Sequence, residues 1–368
     1  MAIATAGASI DLAAGGTDSA PVAVRRWLYG LAGLVIAMVA VGGATRLTGS
    51  GLSITEWRPV TGAIPPLSDA AWLAEFAKYK ASPQYALLNQ GMSLAEFQFI
   101  YWWEWAHRQL GRLIGLVFFL PFLWFWARGA LSRRLALTLF AIGALGGLQG
   151  AVGWIMVASG LKPGMTAVAP IKLTLHLLLA GAILAALLWV ATGLNGAARS
   201  LREPGSIRRP ASLLLALVFL QIALGGLVAG SKAGLAYNSW PLMDGGLAPS
   251  LDGLFTVRPW IENFVDNVGL VQLNHRLGAY LVVGLAVFHA VQARRAGGAG
   301  EGWTTARRAG FLATLVTAQL ALGIVTLLLA VPLWAGLAHQ ILAMVVLATA
   351  VVHARLTSLR SAAAFSSH

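Results

Sequence analysis

Four histidines, His107, His176, His275 and His339, fall near the same end of four apolar stretches, two in each half of the chain. Imidazoles that face each other across a helix bundle are a standard way to hold haem iron. Two such pairs therefore predict two sites. Glu104 lies three residues before His107, on the same helical face. A carboxylate beside a bound macrocycle can move protons or stabilise a cationic intermediate on its edge. The residue at the corresponding place before His275 is Gln272, which keeps the shape and cannot ionise. One site for chemistry, in the first half, and one fixed cofactor site, in the second, is the expected division. Arg108 and Arg276, each directly after a histidine, and Arg112 one turn further on, are costly in hydrocarbon. They are candidate partners for haem propionates, with snorkelling to the interface as the simpler alternative.

The helices that must position these groups cross a membrane. The chain has 368 residues, 58% hydrophobic and 11% charged, with mean hydropathy +0.74. Apolar runs near the length needed to span a bilayer recur eight times, at about 27–46, 97–127, 135–157, 170–193, 211–230, 267–292, 309–330 and 334–354. The fold class is thus an all-α integral membrane protein. A net charge of +13 would point to nucleic acid in a soluble protein, but here it sits in loops. Arg25, Arg26, Arg128, Arg133, Arg134, Arg199, Arg202, Arg208, Arg209, Arg294, Arg295, Arg307, Arg308, Arg355 and Arg360 all fall on one side of an eight-span arrangement. Basic residues accumulate in cytoplasmic loops, so both termini are expected inside and no nucleic-acid partner is expected. All four histidines then lie roughly 10–15 Å below the outer surface, at 1.5 Å per helical residue. With no cysteine, disulfides, iron–sulfur clusters and thiol chemistry are excluded. No cluster of acids completes a zinc shell.

The halves align with each other. Gly42-Gly43, Ser50-Gly51-Leu52 and Trp57 match Gly225-Gly226, Ala233-Gly234-Leu235 and Trp240 at one constant offset. His107-Arg108 matches His275-Arg276, Gln149-x-x-x-Gly153 matches Gln319-x-x-x-Gly323, and His176 matches His339. Two tandem four-helix bundles are expected, related by an axis along the membrane normal. The expected layout is a disordered cytoplasmic tail (1–24), a half carrying the reactive site (25–194) and a cytoplasmic linker (195–210). A half carrying the fixed site (211–356) and a second tail (357–368) follow. The outer loops, 47–96 and 231–266, are aromatic-rich, and Ala70–Tyr79 reads as an interfacial helix that could roof the pockets. Gly-rich faces permit a homo-oligomer, without singling out one face.

The tract Glu104-Trp105-Ala106-His107-Arg108, the repeated Asn274-His275-Arg276, and His176 and His339 in two four-helix halves resemble haem A synthase. Gly42-Gly43-Ala44-Thr45-Arg46-Leu47-Thr48-Gly49-Ser50-Gly51-Leu52-Ser53 and Glu56-Trp57-Arg58-Pro59 fit that family too, and the likeness covers about residues 25–355. It implies oxidation of the C8 methyl of haem O to a formyl, giving haem A for terminal oxidases in the cell inner membrane. It implies a substrate haem on His107 and His176, with Glu104 as the essential acid. It implies a low-spin haem b, its iron on His275 and His339, relaying electrons on the periplasmic side. The electron donor, a ferredoxin-like protein or a quinol, and contact with the farnesyl-transferring haem O synthase stay open. Some members carry cysteine pairs in the outer loops; this chain resembles the cysteine-free branch.

Two rival readings follow from the same residues. His289 and His353 lie fourteen residues after His275 and His339, close to four helical turns and so on the same face. They would let one half stack two haems, as in a b-type quinol cytochrome. A haem carrier is the other rival, because parallel repeats also build transporters.

Overall fold

The computed structural model describes residues 19–194, 205–243, 245–296 and 302–359. Residues 1–18 of the expected N-terminal tail, 195–204 of the linker and 360–368 of the C-terminal tail lie outside the described residues. Twelve α-helices are found among the described residues: α1 (Ser19–Leu47), α2 (Asp69–Lys80), α3 (Pro83–Leu88), α4 (Leu94–Ala127), α5 (Arg133–Gly160), α6 (Pro170–Gly193), α7 (Gly205–Gly230), α8 (Leu251–Leu254), α9 (Asn263–Asp266), α10 (Val268–Ala296), α11 (Gly302–Leu328) and α12 (Leu333–Ser358). The eight long ones are each long and apolar enough to cross a membrane. The protein is all-helical and multi-pass. Helices α1 and α7 begin several residues before the apolar runs, and α7 continues through Pro210.

Local chemistry sets the boundaries. Ser93 caps α4 through a capping box with Glu96, which satisfies two of the orphan N–H groups of the first turn. Ser132 caps α5, and Pro170 opens α6 at a position where a missing N–H costs nothing. The segment expected to be interfacial is α2. Its inner face buries Trp72, Phe76 and Tyr79 against Phe97, Ile100 and Tyr101 of α4.

In the first half α1 packs on α4 and α6, and α5 on α6; in the second, α7 packs on α10 and α12, and α11 on α10 and α12. The halves meet through α6 against α7, α1 against α12, and α6 against α12. Small residues let these central helices approach closely. A Cβ built on Gly230 would stand 2.6 Å from Pro170 Cα, and one on Gly226 would stand 2.9 Å from Thr174 Oγ1. Arg46, in the last turn of α1, donates to the carbonyl of Ala229 at 2.8 Å, and Gln340 donates to that of Val39. The outer walls differ between the halves. Helices α10 and α11 contact each other along much of their length, whereas α4 and α5 meet over a shorter stretch that includes Gly143 against Phe118.

The buried apolar core fills the end of the bundle away from the long loops. Toward the loops it stops at Phe118 in α4, Ile183 in α6, Val282 in α10 and Met344 in α12. Each is roughly one and a half to three turns past the histidine of its helix. Around the histidines, residues 107–112 and 176–180 are half-buried although they lie on bundle helices. At that level Ile114, Leu177, Leu178, Leu179 and Ala180 are only partly buried against the core.

Close approach at the seam between the halves carries a direct test. Gly230→Ala forces backbone apart and should lower the thermal unfolding midpoint of the detergent-solubilised protein, with a cost of about 1–3 kcal/mol. Gly33→Ala, whose Cβ meets nothing within 4 Å, should leave the midpoint unchanged or raise it. Equal behaviour of the two variants would contradict this packing.

Candidate functional site

Each of the four histidines lies against a glycine of the helix that precedes its own. A Cβ on Gly42 of α1 would stand 2.8 Å from His107 Cε1, and one on Gly153 of α5 would stand 2.8 Å from His176 Cε1. Gly225 of α7 faces His275 Cε1 at 3.1 Å in the same sense, and Gly323 of α11 faces His339 Cε1 at 2.8 Å. Any side chain at these places would push the ring off its present seat. All four glycines sit about two turns from the loop-rich end of their helices, so the rings share that end of the bundle.

Three glutamines complete the arrangement. Gln149 Nε2 donates to the His176 carbonyl at 3.0 Å and lies 3.3 Å from its ring Nε2. Gln221 Nε2 donates to the His275 carbonyl at 2.9 Å and lies 3.0 Å from Nδ1. Gln319 Nε2 donates to the His339 carbonyl at 2.9 Å and lies 3.2 Å from Nδ1. Sequence reasoning used Gln149, Gly153, Gln319 and Gly323 as repeat markers and gave them no role. The signal was there: a glutamine one turn before a glycine on an otherwise apolar helix, occurring three times.

The His275 and His339 rings have centroids 6.4 Å apart with planes at 80°. Two imidazoles bound to one iron, each with a metal–nitrogen bond of about 2 Å, need close to that separation. His107 and His176 lie within electrostatic reach of each other, and each has a buried Nδ1 with no hydrogen-bond partner. No group of three or more His, Cys, Asp or Glu that could hold a metal occurs among the described residues. Two imidazoles leave the rest of a metal's coordination sphere open, an arrangement that a haem macrocycle completes.

His289 and His353 are a different object. Their Nε2 atoms are 2.8 Å apart, at hydrogen-bond distance, and both rings are buried. No iron fits between rings that already touch. The rival reading, a second haem stacked on this pair, finds no support in that geometry. The residue types and spacing were right for ligation, and the helices simply come too close together there.

Glu104 and Gln272 turn out to pin the outer loops. Glu104 is the one buried acid among the described residues. Its Oε2 accepts from the Ser53 hydroxyl and the Ile54 N–H, both at 2.8 Å, and its Oε1 accepts from Arg108 at 2.7 Å. Gln272 Nε2 donates to the carbonyls of Ala233 and Ala236 at 2.7 and 2.6 Å, while its Oε1 accepts from Arg276 at 2.8 Å. The two staples match, with the polarity of the loop groups reversed. The arginines extend them. Arg108 donates to the carbonyls of Ile54 and Glu56, Arg112 to those of Arg58 and Pro59, and Arg276 to those of Tyr237, Ser239 and Leu242. Most donors offered to propionates are therefore engaged with loop backbone; Arg276 Nε is buried without a partner. Trp57 of the first loop packs on Trp154 of α5 at 5.3 Å, which holds that loop over the first-half histidines. Beside it, Glu56 is held below the usual carboxylate range by its hydrogen bond from Lys78.

A family model described as cytochrome oxidase assembly protein, COX15-CtaA, matches residues 25–351. The chain belongs to this family. A heme A synthase of Methylobacterium sp. (strain 4-46) is 68% identical over 338 residues, covering 92% of this chain and 93% of that protein. A heme A synthase of Methylobacterium radiotolerans is 64% identical over 343 residues, 93% of this chain and 92% of its own length. A heme A synthase of Brucella ovis is 51% identical over 334 residues, 91% of each chain.

The glycine contacts can be tested without assaying turnover. Gly323→Ala should turn the His339 ring and weaken haem retention by the purified protein roughly 10–100-fold, the range seen when groups behind a metal ligand are disturbed. Gly284→Ala, on open space, serves as the control. Full haem content in Gly323→Ala would show that the ring has another seat.

Proposed function

We propose that this chain oxidises the C8 methyl of haem O to a formyl group, yielding haem A. The substrate haem sits between His107 and His176, and a resident haem b sits between His275 and His339. The observation that carries this reading is the His275–His339 pair, spaced at 6.4 Å for a shared iron, with a buried acid beside only the other pair. When bound, haem b supplies one-electron redox chemistry. Held by His275 and His339, it would connect the first-half site to an external electron donor, a ferredoxin-like protein or a quinol.

The chain's own residues do the rest. His107 and His176 orient the substrate, and Gly42 and Gly153 give the ring edges room against the neighbouring helices. Glu104 is held by Ser53, Ile54 and Arg108 one turn from His107. In that place it puts a fixed negative charge near the macrocycle edge, where positive charge develops as the methyl is oxidised. Arg108 and Arg112 keep residues 54–59 over the site and keep water out. Arg276 Nε is the donor left for a propionate.

Four recurring glycine–imidazole contacts and two matched staples support two tandem four-helix units, 25–194 and 211–356. We place the protein in the cell inner membrane with both termini cytoplasmic and the haem sites on the periplasmic side, because Arg133, Arg134, Arg294, Arg295 and Arg355 lie at the helix ends away from the histidines. Substrate arrives from the bilayer or from haem O synthase. The looser contact between α4 and α5 puts the more open wall on the half that must exchange its haem.

Glu104→Ala should keep the low-spin haem b spectrum and abolish formyl porphyrin, read by mass analysis of extracted haem. His275→Ala or His339→Ala should remove that spectrum while the helical content persists. A formyl porphyrin made at wild-type level without Glu104, or a low-spin signal that survives both histidine changes, would overturn the assignment.

A further inference from the structure

One histidine of the four lacks the contact that the other three share. Gln149, Gln221 and Gln319 each sit one turn before the glycine that seats their histidine, and each ties that histidine's own carbonyl to the neighbouring helix. On α1 the residue one turn before Gly42 is Met38. The two side chains occupy equivalent places. A Cβ on Gly111, just past His107, would stand 3.2 Å from Met38 Cε, and a Cβ on Gly278, just past His275, would collide with Gln221 Oε1. A thioether has no N–H and accepts hydrogen bonds only weakly. Among the described residues no side chain hydrogen-bonds either ring nitrogen of His107, and its Nδ1 is buried without a partner.

We propose that Met38 is a positioning residue that leaves His107 as the untethered, exchangeable haem ligand of the first half, while the three glutamines lock His176, His275 and His339. This rests on the reading that the first half takes substrate haem. A glutamine that bridges ligand and neighbouring helix fixes the ring's orientation, and such outer partners typically contribute 10–100-fold in metal affinity. A site that admits one haem and releases another at each turnover works only if one axial bond breaks easily. A resident cofactor needs the reverse. The chain meets both needs with one substitution in a repeated pattern: the tether is absent on the side of the substrate site that carries the acid, and present on both sides of the resident site. Methionine also fills the space without adding a competing donor, so the Gly42 seat is preserved.

The test is haem transfer from the full-length, haem-loaded protein in detergent to excess apomyoglobin, followed by absorbance. Wild type should release haem in a fast and a slow phase, with His107→Ala removing the fast one and His275→Ala the slow one. Met38→Gln should slow the fast phase about tenfold and leave the slow phase alone. Gln221→Met should accelerate the slow phase by a similar factor, and Met38→Leu should change neither. A fast phase that is unaltered in a Met38→Gln protein with full haem content and an unchanged melting midpoint would overturn the proposal. Should Met38→Gln fail to load haem, Gln221→Met decides: an unaltered slow phase overturns it equally. If the fast phase does not depend on His107, the assignment of the substrate site fails instead, so the two failures are separable.

Discussion

Close approach of helix backbones to imidazole rings is the constraint on which the rest of this bundle depends. Glycine at positions 42, 153, 225 and 323 lets each odd-numbered spanning segment come against the histidine of the next one, within 2.8–3.1 Å of where a Cβ would be. In lipid, helices gain little from burying apolar surface against one another, so shape fit and hydrogen bonds decide which faces meet. Here the fit is backbone against aromatic edge. That contact orients the ring, and ring orientation decides whether two imidazoles point at one metal or at each other. The same fold contains two spacings: rings 6.4 Å apart at His275 and His339, and rings at hydrogen-bond distance at His289 and His353.

The staples above the histidines show how one geometry serves two chemistries. Glu104 with Arg108, and Gln272 with Arg276, are each a buried side chain bonded to an arginine one turn on, and each holds the loop that follows the preceding helix. The acid faces loop donors, Ser53 and the Ile54 N–H; the amide faces loop acceptors, the carbonyls of Ala233 and Ala236. An ionised group in that place is tolerable because it is fully bonded, since an unpaired buried charge would be far more costly than the pair. The loop sequences and the staple residues are therefore matched to each other. Exchanging Glu104 for glutamine would leave donors facing donors, so the charge and the loop conformation belong to one unit.

Differences between the halves accumulate on one side. The first half has the acid, the looser contact between α4 and α5, the aromatic loop helix α2 packed on α4, and methionine where the other pairs have glutamine. The second half has closely joined outer helices and glutamine at both of its histidines. Each feature is small; together they support the proposed division between a half that exchanges a large ligand and a half that keeps one.

Helical periodicity and bilayer length made the eight spans, the class of fold and the four histidines legible in the amino acids alone. The physical reason is that both are local: apolar length is counted along the chain, and a histidine or a buried acid in such a stretch stands out by its cost. The matched residues of the two halves were visible for the same reason, at nearly fixed offsets along the chain. What could not be read was distance between helices. The spacing of His289 and His353 imitates that of haem ligands, yet their rings touch. Arg108 and Arg276 look like propionate partners, yet most of their donors go to loop carbonyls. Gln149, Gln221 and Gln319 look like stray polar residues until they meet a histidine from the next helix. Each of these was decided by how closely backbones approach and which loop folds back over the bundle, and those depend on the packing of the whole chain rather than on any one segment of it.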